Sequence, residues 1–255
     1  MRSDRFAPLP PDAAATLYDG LKAEDDWRLV LPYVPDDKRG GALTILALMR
    51  ELEGVPARVS EPMLGRIRCQ WWRDALDEAF GPGRVRAHPL GRAIEATLGN
   101  VPEMSPPLHA LVDGAEDVLD RNAITDTGGA TTAARRLWGR AAAALCGWLG
   151  APGAADAAAE AGAAHAVLRL AGHEAQAVST RSLPRASDMI AGTTIPKDEA
   201  ERLATDARAR TKDLPDAALP AVLPATLLHA YADARPPSPV GKRVRYLRAM
   251  LRGRP

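Results

Sequence analysis

The residues best suited to chemistry in this chain are carboxylates. Asp113, Glu116, Asp117 and Asp120 recur at i, i+3, i+4 and i+7, so on a helix they share one face. Such a stripe can hold a divalent cation, but it lies opposite Leu108, Leu111, Val112, Ala115, Val118 and Leu119. A charged stripe behind an apolar one usually marks the wet side of an amphipathic helix. Asp74, Asp77 and Glu78 form a second set beside Gln70-Trp71-Trp72-Arg73. Asp74 and Asp77 are weak candidate metal ligands, because a second carboxylate helix would have to face them; the alternative is pairing between Asp74 and nearby arginines. The five histidines are scattered, with no H-x-x-x-H or H-E-x-x-H spacing. His173-Glu174 lies in an Ala-rich stretch, where the commoner role is that of a satisfied structural histidine. No G-x-S-x-G, Walker loop or G-x-G-x-x-G occurs, so serine-hydrolase and nucleotide-binding readings have no motif.

The elements that must position these groups read as helices. Apolar spacing near 3.6 residues runs through Arg39 to Glu53, from Ser60 to about Phe80, from His88 to Leu98, and from Pro106 to Arg121. It continues through Thr131 to Leu149, Asp156 to Ser179, Pro196 to Lys212, Asp216 to Ala234 and Val240 to Arg252. Asp12 and Ser60 are the expected N-caps of their helices. No segment alternates as a strand does, and the connections are short and rich in proline and glycine, of which the chain has 22 and 21. These features predict an all-α, single-domain helical bundle spanning residues 1–255.

The 33 basic residues nearly cancel the 32 acidic ones, leaving +1, which removes the broad electrostatic reason to expect nucleic acid. Cys69 and Cys146 are too few for a disulfide framework and read as buried thiols. Met1 to Pro11 has no apolar core of a signal peptide, and the longest uncharged run, Ala141 to Ala155, is too short to span a bilayer. The expectation is a cytoplasmic protein. The C-terminus adds a qualification. No acid follows Asp233, while Arg235, Lys242, Arg243, Arg245, Arg248, Arg252 and Arg254 are basic and Val240, Val244, Leu247 and Leu251 form an apolar stripe. A basic amphipathic helix of this kind, about 240–252, either makes peripheral contact with an anionic (inner) membrane, docks on an acidic protein, or packs its stripe on the body and leaves its arginines wet.

Ser60-Glu61-Pro62-Met63-Leu64-Gly65, continuing to Gln70-Trp71-Trp72-Arg73-Asp74-Ala75-Leu76-Asp77-Glu78, closely resembles the S-E-P…Q-W-W-R helix of squalene/phytoene synthase-like proteins. Asp26-Trp27-Arg28, Pro35 to Ala47, His88-Pro89-Leu90 and Leu214 to Leu228 resemble further segments of that family. The pattern is most similar to the branch that contains the mitochondrial complex I assembly factor and its α-proteobacterial relatives. The resemblance implies the isoprenoid-synthase fold, a helical bundle around a central cavity. Catalytic members join two prenyl diphosphates head to head, and two Asp-rich motifs on facing helices hold Mg²⁺ against the diphosphate.

Both motif positions depart from that pattern. The first reads Arg50-Glu51-Leu52-Glu53-Gly54-Val55-Pro56-Ala57, so position i+4 from Glu53 is Ala57, beyond a Gly and a Pro. The second reads Leu168-Arg169-Leu170-Ala171-Gly172-His173-Glu174-Ala175, with Glu174 its one acid, and the later family segment survives as Thr180-Arg181-Ser182-Leu183-Pro184. The implied reading is a degenerate, non-catalytic member needing no cofactor. It would act like a complex I assembly factor, binding a protein partner such as a respiratory-complex subunit, or a prenyl or lipid-like ligand. Arg68, Gln70, Trp71, Trp72, Arg73 and His173 are the candidate binding residues. The rival is an active prenyltransferase with Glu51, Glu53 and Glu174, and Asp74 or Asp77, around Mg²⁺.

Overall fold

The computed structural model describes residues 6–82, 85–119, 124, 126–171 and 183–255. The chain folds as helices joined by tight turns, with no strand among the described residues, so the all-α class predicted from periodicity holds and is consistent with the isoprenoid-synthase-like fold that the resemblance implies. The α-helices are α1 (Pro11–Gly20), α2 (Asp25–Arg28), α3 (Asp36–Glu53), α4 (Pro62–Phe80), α5 (Pro89–Leu98), α6 (Ser105–Leu119) and α7 (Thr127–Ala134). After them come α8 (Arg140–Trp148), α9 (Ala155–Leu170), α10 (Ala186–Ala191), α11 (Lys197–Arg210), α12 (Leu219–Val222), α13 (Leu228–Ala232) and α14 (Pro239–Arg252).

Helix α3 is the central strut. Asp36 and Asp37 sit in its first turn, where the helix dipole favours negative charge, and Gly54 ends it. Gly40 through Met49 are all buried, and α3 packs against α1, α5, α6 and α8. Helix α9 is the second strut, in contact with α7, α8, α11 and α13. Its alanines let neighbours approach closely. A Cβ at Gly162 would lie 2.8 Å from the Trp138 carbonyl oxygen, and one at Gly139 would lie 2.8 Å from that of Ala159. The helix facing α9 is continuous from α7 to α8 through a π-helical turn, Arg135–Gly139. Apolar side chains from Phe6 to Ala249 form one buried cluster, and α9, α11 and α13 share a smaller one. Cys69 and Cys146 are buried free thiols whose pKa values burial pushes up to about 12.

Several helix boundaries differ from the sequence reading. Asp12 lies inside the first turn of α1, which starts behind Pro10, and Glu61 rather than Ser60 occupies the N-cap of α4; neither cap position makes a side-chain bond. In both cases a proline near the first turn sets the helical φ without a polar cap. The stretch predicted as one helix over Asp216 to Ala234 is divided into α12, a 3₁₀ segment (Leu223–Leu227) and α13. Pro220 and Pro224 remove backbone donors there, which an uninterrupted α-helix does not tolerate.

The stripe of α14 is not packed on the body. Val240, Val244, Leu247 and Leu251 are all exposed, whereas Tyr246 and Ala249 on the opposite side are buried. Of the three readings of this helix, the one that buries the stripe is therefore incorrect. A long-range pairing sets the orientation: Lys242 reaches Asp26 of α2, and the Tyr246 hydroxyl donates to the Asp26 carbonyl oxygen at 3.1 Å. No described helix is long and apolar enough to cross a membrane.

Candidate functional site

The C-terminal end of α3 borders a cavity of about 560 Å³. Arg50 and Glu51 from α3, Arg58 from the turn behind it, His88 and Arg185 supply its polar wall; Leu17, Ala47 and Leu90 supply apolar wall. A smaller pocket of about 280 Å³ adjoins it, sharing Glu51 and His88 and adding Ile67, Arg68, Trp71 and Trp72 from α4. His88 caps α5, its Nδ1 accepting from the Leu90 backbone N–H at 3.2 Å. Its ring meets Trp71 and Trp72 edge-on at 5.3 and 5.1 Å between centroids. Burial holds the His88 pKa below its ordinary value, so the imidazole between the two pockets is neutral at neutral pH.

The acids of the interior are each held by a protein cation. Glu53 is 1 % exposed, pairs with Arg50 one turn back, and accepts a hydrogen bond from Ser187 of α10. Glu51 is paired with Arg58 by two guanidinium contacts, one of 2.9 Å. Glu24, also buried, meets Arg169 of α9 at 2.7 Å and the Trp138 indole N–H at 3.4 Å. Asp26 is the most densely satisfied. Its carboxylate accepts from His165 Nε2 at 2.9 Å and from the Tyr231 hydroxyl at 2.5 Å, and Lys242 Nζ lies 2.6 Å from the other oxygen.

The two kinds of environment move the carboxyls in opposite directions. Burial alone pushes Asp26 up; His165, Lys242 and Tyr231 together more than reverse that and hold it well below the usual carboxylate range. Burial pushes Glu53 up as well, but Arg50 and Ser187 only partly oppose it, and the charge of Glu24 adds to the rise. The Tyr231 phenol is pushed far up, by burial first and then by the Asp26 charge.

The squalene/phytoene synthase family model matches residues 22–171, more than half of the 255-residue chain. The chain belongs to the squalene/phytoene synthase family. No curated protein matches it.

Family membership implies Mg²⁺ bound between facing acids, and the donor set can be tested for that. Mg²⁺ needs carboxylate oxygens converging in near-octahedral geometry. Glu51 and Glu53 are occupied by Arg58 and Arg50, and they are two residues apart on α3, so they point away from each other. Among the described residues no group of three or more acids, histidines and cysteines converges on a point that could hold a metal ion. The described residues therefore do not fit the ion. His173 and Glu174, like Thr180, Arg181 and Ser182, lie outside the described residues.

The candidate residues of α4 separate onto different faces. Arg68, Trp71 and Trp72 line the smaller pocket; Trp72 is buried, while Trp71 is half-buried beneath the Arg86 guanidinium, 4.8 Å from its ring centroid. Gln70 is exposed and donates to Asp74 at 2.8 Å. Arg73 turns to α6, where it bonds Asp113 at 2.7 Å and also Glu116. Asp74 and Asp77 do not share a ligand position. Asp74 lies near Arg86, and Asp77 contacts His109 Nε2 at 3.1 Å. The acidic stripe of α6 is not simply a wet face, because Asp117 pairs with Arg136 and Asp113 and Glu116 tie α6 to α4. Asp120 lies outside the described residues.

Glu24, Asp26, Arg50, His88, His165, Arg169, Ser187, Tyr231 and Lys242 were not marked as candidates from sequence. One signal was present. His165 and Arg169 stand four residues apart in the C-terminal half of an Ala-rich helix, among otherwise apolar residues from Ala161 to Leu170, and such polar pairs on a buried helix need partners inside the fold.

Proposed function

We propose that this protein is a non-catalytic member of the squalene/phytoene synthase family that acts by binding, in the manner of a complex I assembly-type factor, with a protein partner such as a respiratory-complex subunit. The observation that carries this reading is the pairing of the interior acids. Glu24, Glu51, Glu53 and Asp26 are neutralised by Arg169, Arg58, Arg50 and Lys242 with His165. In a Mg²⁺-dependent synthase, facing acids must be free to hold metal against a trianionic leaving group. Here each of these acids faces a protein cation, which supports a binding role over metal-dependent ionisation. Separating the buried pairs, at Glu24, Glu53 and Asp26, would leave uncompensated buried charge, which costs several kcal/mol for each. The two pockets at the end of α3, walled by Trp71, Trp72, His88 and arginines, are the surface best suited to a partner side chain or a small prenyl or lipid-like ligand, because buried aromatics and arginines are the residues that anchor interfaces.

The test is incubation of the purified protein with farnesyl or geranylgeranyl diphosphate and Mg²⁺, followed by extraction of hydrocarbon product. The expected result is no turnover. Product formation lost in Glu53→Ala or Glu174→Ala would establish the prenyltransferase instead. The binding role is tested by removing the gene from its host and resolving the respiratory complexes on native gels. Complex I is expected to be depleted and to return with the wild-type chain, and an unchanged complex would refute the assembly role.

A further inference from the structure

The outer face of α14 combines two features that no contact within the chain explains. On a helix turning about 100° per residue, Val240, Val244, Leu247 and Leu251 fall within an arc of about 60°, a stripe about 17 Å long. They are 66, 40, 50 and 79 % exposed. Lys242, Tyr246, Ala249 and Met250 take the opposite side and fasten the helix to the body. Arginines border the stripe: Arg243 on one flank, Arg245, Arg248 and Arg252 on the other. Beside the second flank is a cleft of about 650 Å³ that holds Arg245, Arg248, Arg252, Arg254 and, from α11, Arg208, with no Asp or Glu side chain in its wall. None of these five guanidiniums forms an ion pair among the described residues.

We propose that α14 docks on an anionic phospholipid bilayer, the stripe entering the boundary between headgroups and acyl chains and the arginine cleft receiving lipid phosphates. The geometry fits a membrane plane better than an acidic protein. The apolar residues protrude from a convex helix face rather than lining a groove, and arginines flank them at the level where long basic side chains meet phosphates. Five arginines with no Asp or Glu side chain among them supply the charge complementarity. This inference is independent of the reading of the bundle interior, so either can fail alone.

The experiment is co-sedimentation of the full chain with vesicles of phosphatidylcholine alone or of phosphatidylcholine with phosphatidylglycerol. Binding to the phosphatidylglycerol vesicles is expected to be stronger by on the order of tenfold or more, and to weaken as salt is added. The double variant Leu247→Glu/Leu251→Glu is expected to abolish it, and Arg248→Gln/Arg252→Gln to weaken it about tenfold, both with an unchanged melting temperature because all four positions are exposed. Three results would overturn the proposal. They are no vesicle binding, binding of equal strength to both vesicle types, and wild-type binding by both double variants. Capture of poly-glutamate or of free inorganic phosphate without vesicle binding would overturn it too, assigning the face to a protein or a soluble anion.

Discussion

Asp26 and Glu53 are both carboxylates sealed inside the same bundle, and they are stabilised in opposite ways. Asp26 stands where α2, α9, α13 and α14 meet, and each of the last three contributes a partner, in His165, Tyr231 and Lys242. Glu53 stands at the end of α3 with Arg50 from its own helix and one hydroxyl from α10. The first site draws a partner from each of three helices and joins the two ends of the chain, and its charge is favoured. The second is paired within its own helix and with one hydroxyl, and burial outweighs those partners, so its charge is disfavoured. Two carboxylates equally buried in one bundle can therefore be driven in opposite directions, and the number and charge of the partners set against burial distinguish them.

The largest effect that would break this comparison is expected at Asp26. Asp26→Asn leaves Lys242 and His165 beside a neutral amide, and removing one partner of a buried ion pair costs about 3 kcal/mol or more. For a chain of this size, that is a fall of about 10 °C in melting temperature by calorimetry. The pH dependence has a definite sign. The folded pKa of Asp26 is depressed, so its stabilisation is complete above the unfolded value near pH 4 and is lost as pH falls below it. The wild type should destabilise on acidification through that window more steeply than Asp26→Asn.

Lys242→Met comes next. It keeps most of the volume but removes the cation that ties α14 to α2, and a loss of about 2 kcal/mol is expected. Limited proteolysis should then cut within α14 before the rest of the chain, whereas general loosening would give cuts throughout.

Glu53→Gln should be mild, within about 1 kcal/mol of the wild type in denaturant melts at neutral pH and not below it. Here the folded pKa is raised, so stability from Glu53 is present below the unfolded value near pH 4 and declines as pH rises through the folded one. The Gln variant should lack that decline. A loss at Glu53 as large as that at Asp26 would remove the distinction between the two regions. Gln70→Ala and Asp77→Ala, on the exposed side of α4, should move stability by no more than about 0.5 kcal/mol.

The helices were legible in the sequence because apolar spacing, prolines and glycines mark them locally. The breaks at Pro220 and Pro224 were also written there, but proline near a first turn and proline inside a helix look alike until the neighbouring hydrogen bonds are known. The orientation of α14 was not legible. Its period defines two faces, and the one that meets the body is chosen by Asp26, which lies 220 residues from Tyr246 in the chain. The candidate site was legible in part. Trp71, Trp72, Arg68 and Glu51 do line adjoining pockets, whereas Asp74 and Asp77 have separate partners in Arg86 and His109, because sharing a helix face does not make two side chains converge when different neighbouring segments offer each a partner. The pairing of Glu53 with Arg50 is a local i, i+3 one, whereas those of Glu24 with Arg169 and of Asp26 with His165 and Lys242 depend on how distant helices are placed, which no local pattern encodes.

The measurement that bears most directly on the central claim, that protein cations rather than metal neutralise the interior acids, is a calorimetric titration of MgCl₂ into the full chain with inorganic diphosphate present. Heats equal to those of the same titration into diphosphate without protein are predicted. Saturable Mg²⁺-dependent binding that disappears in Glu53→Gln or Glu174→Gln would contradict it.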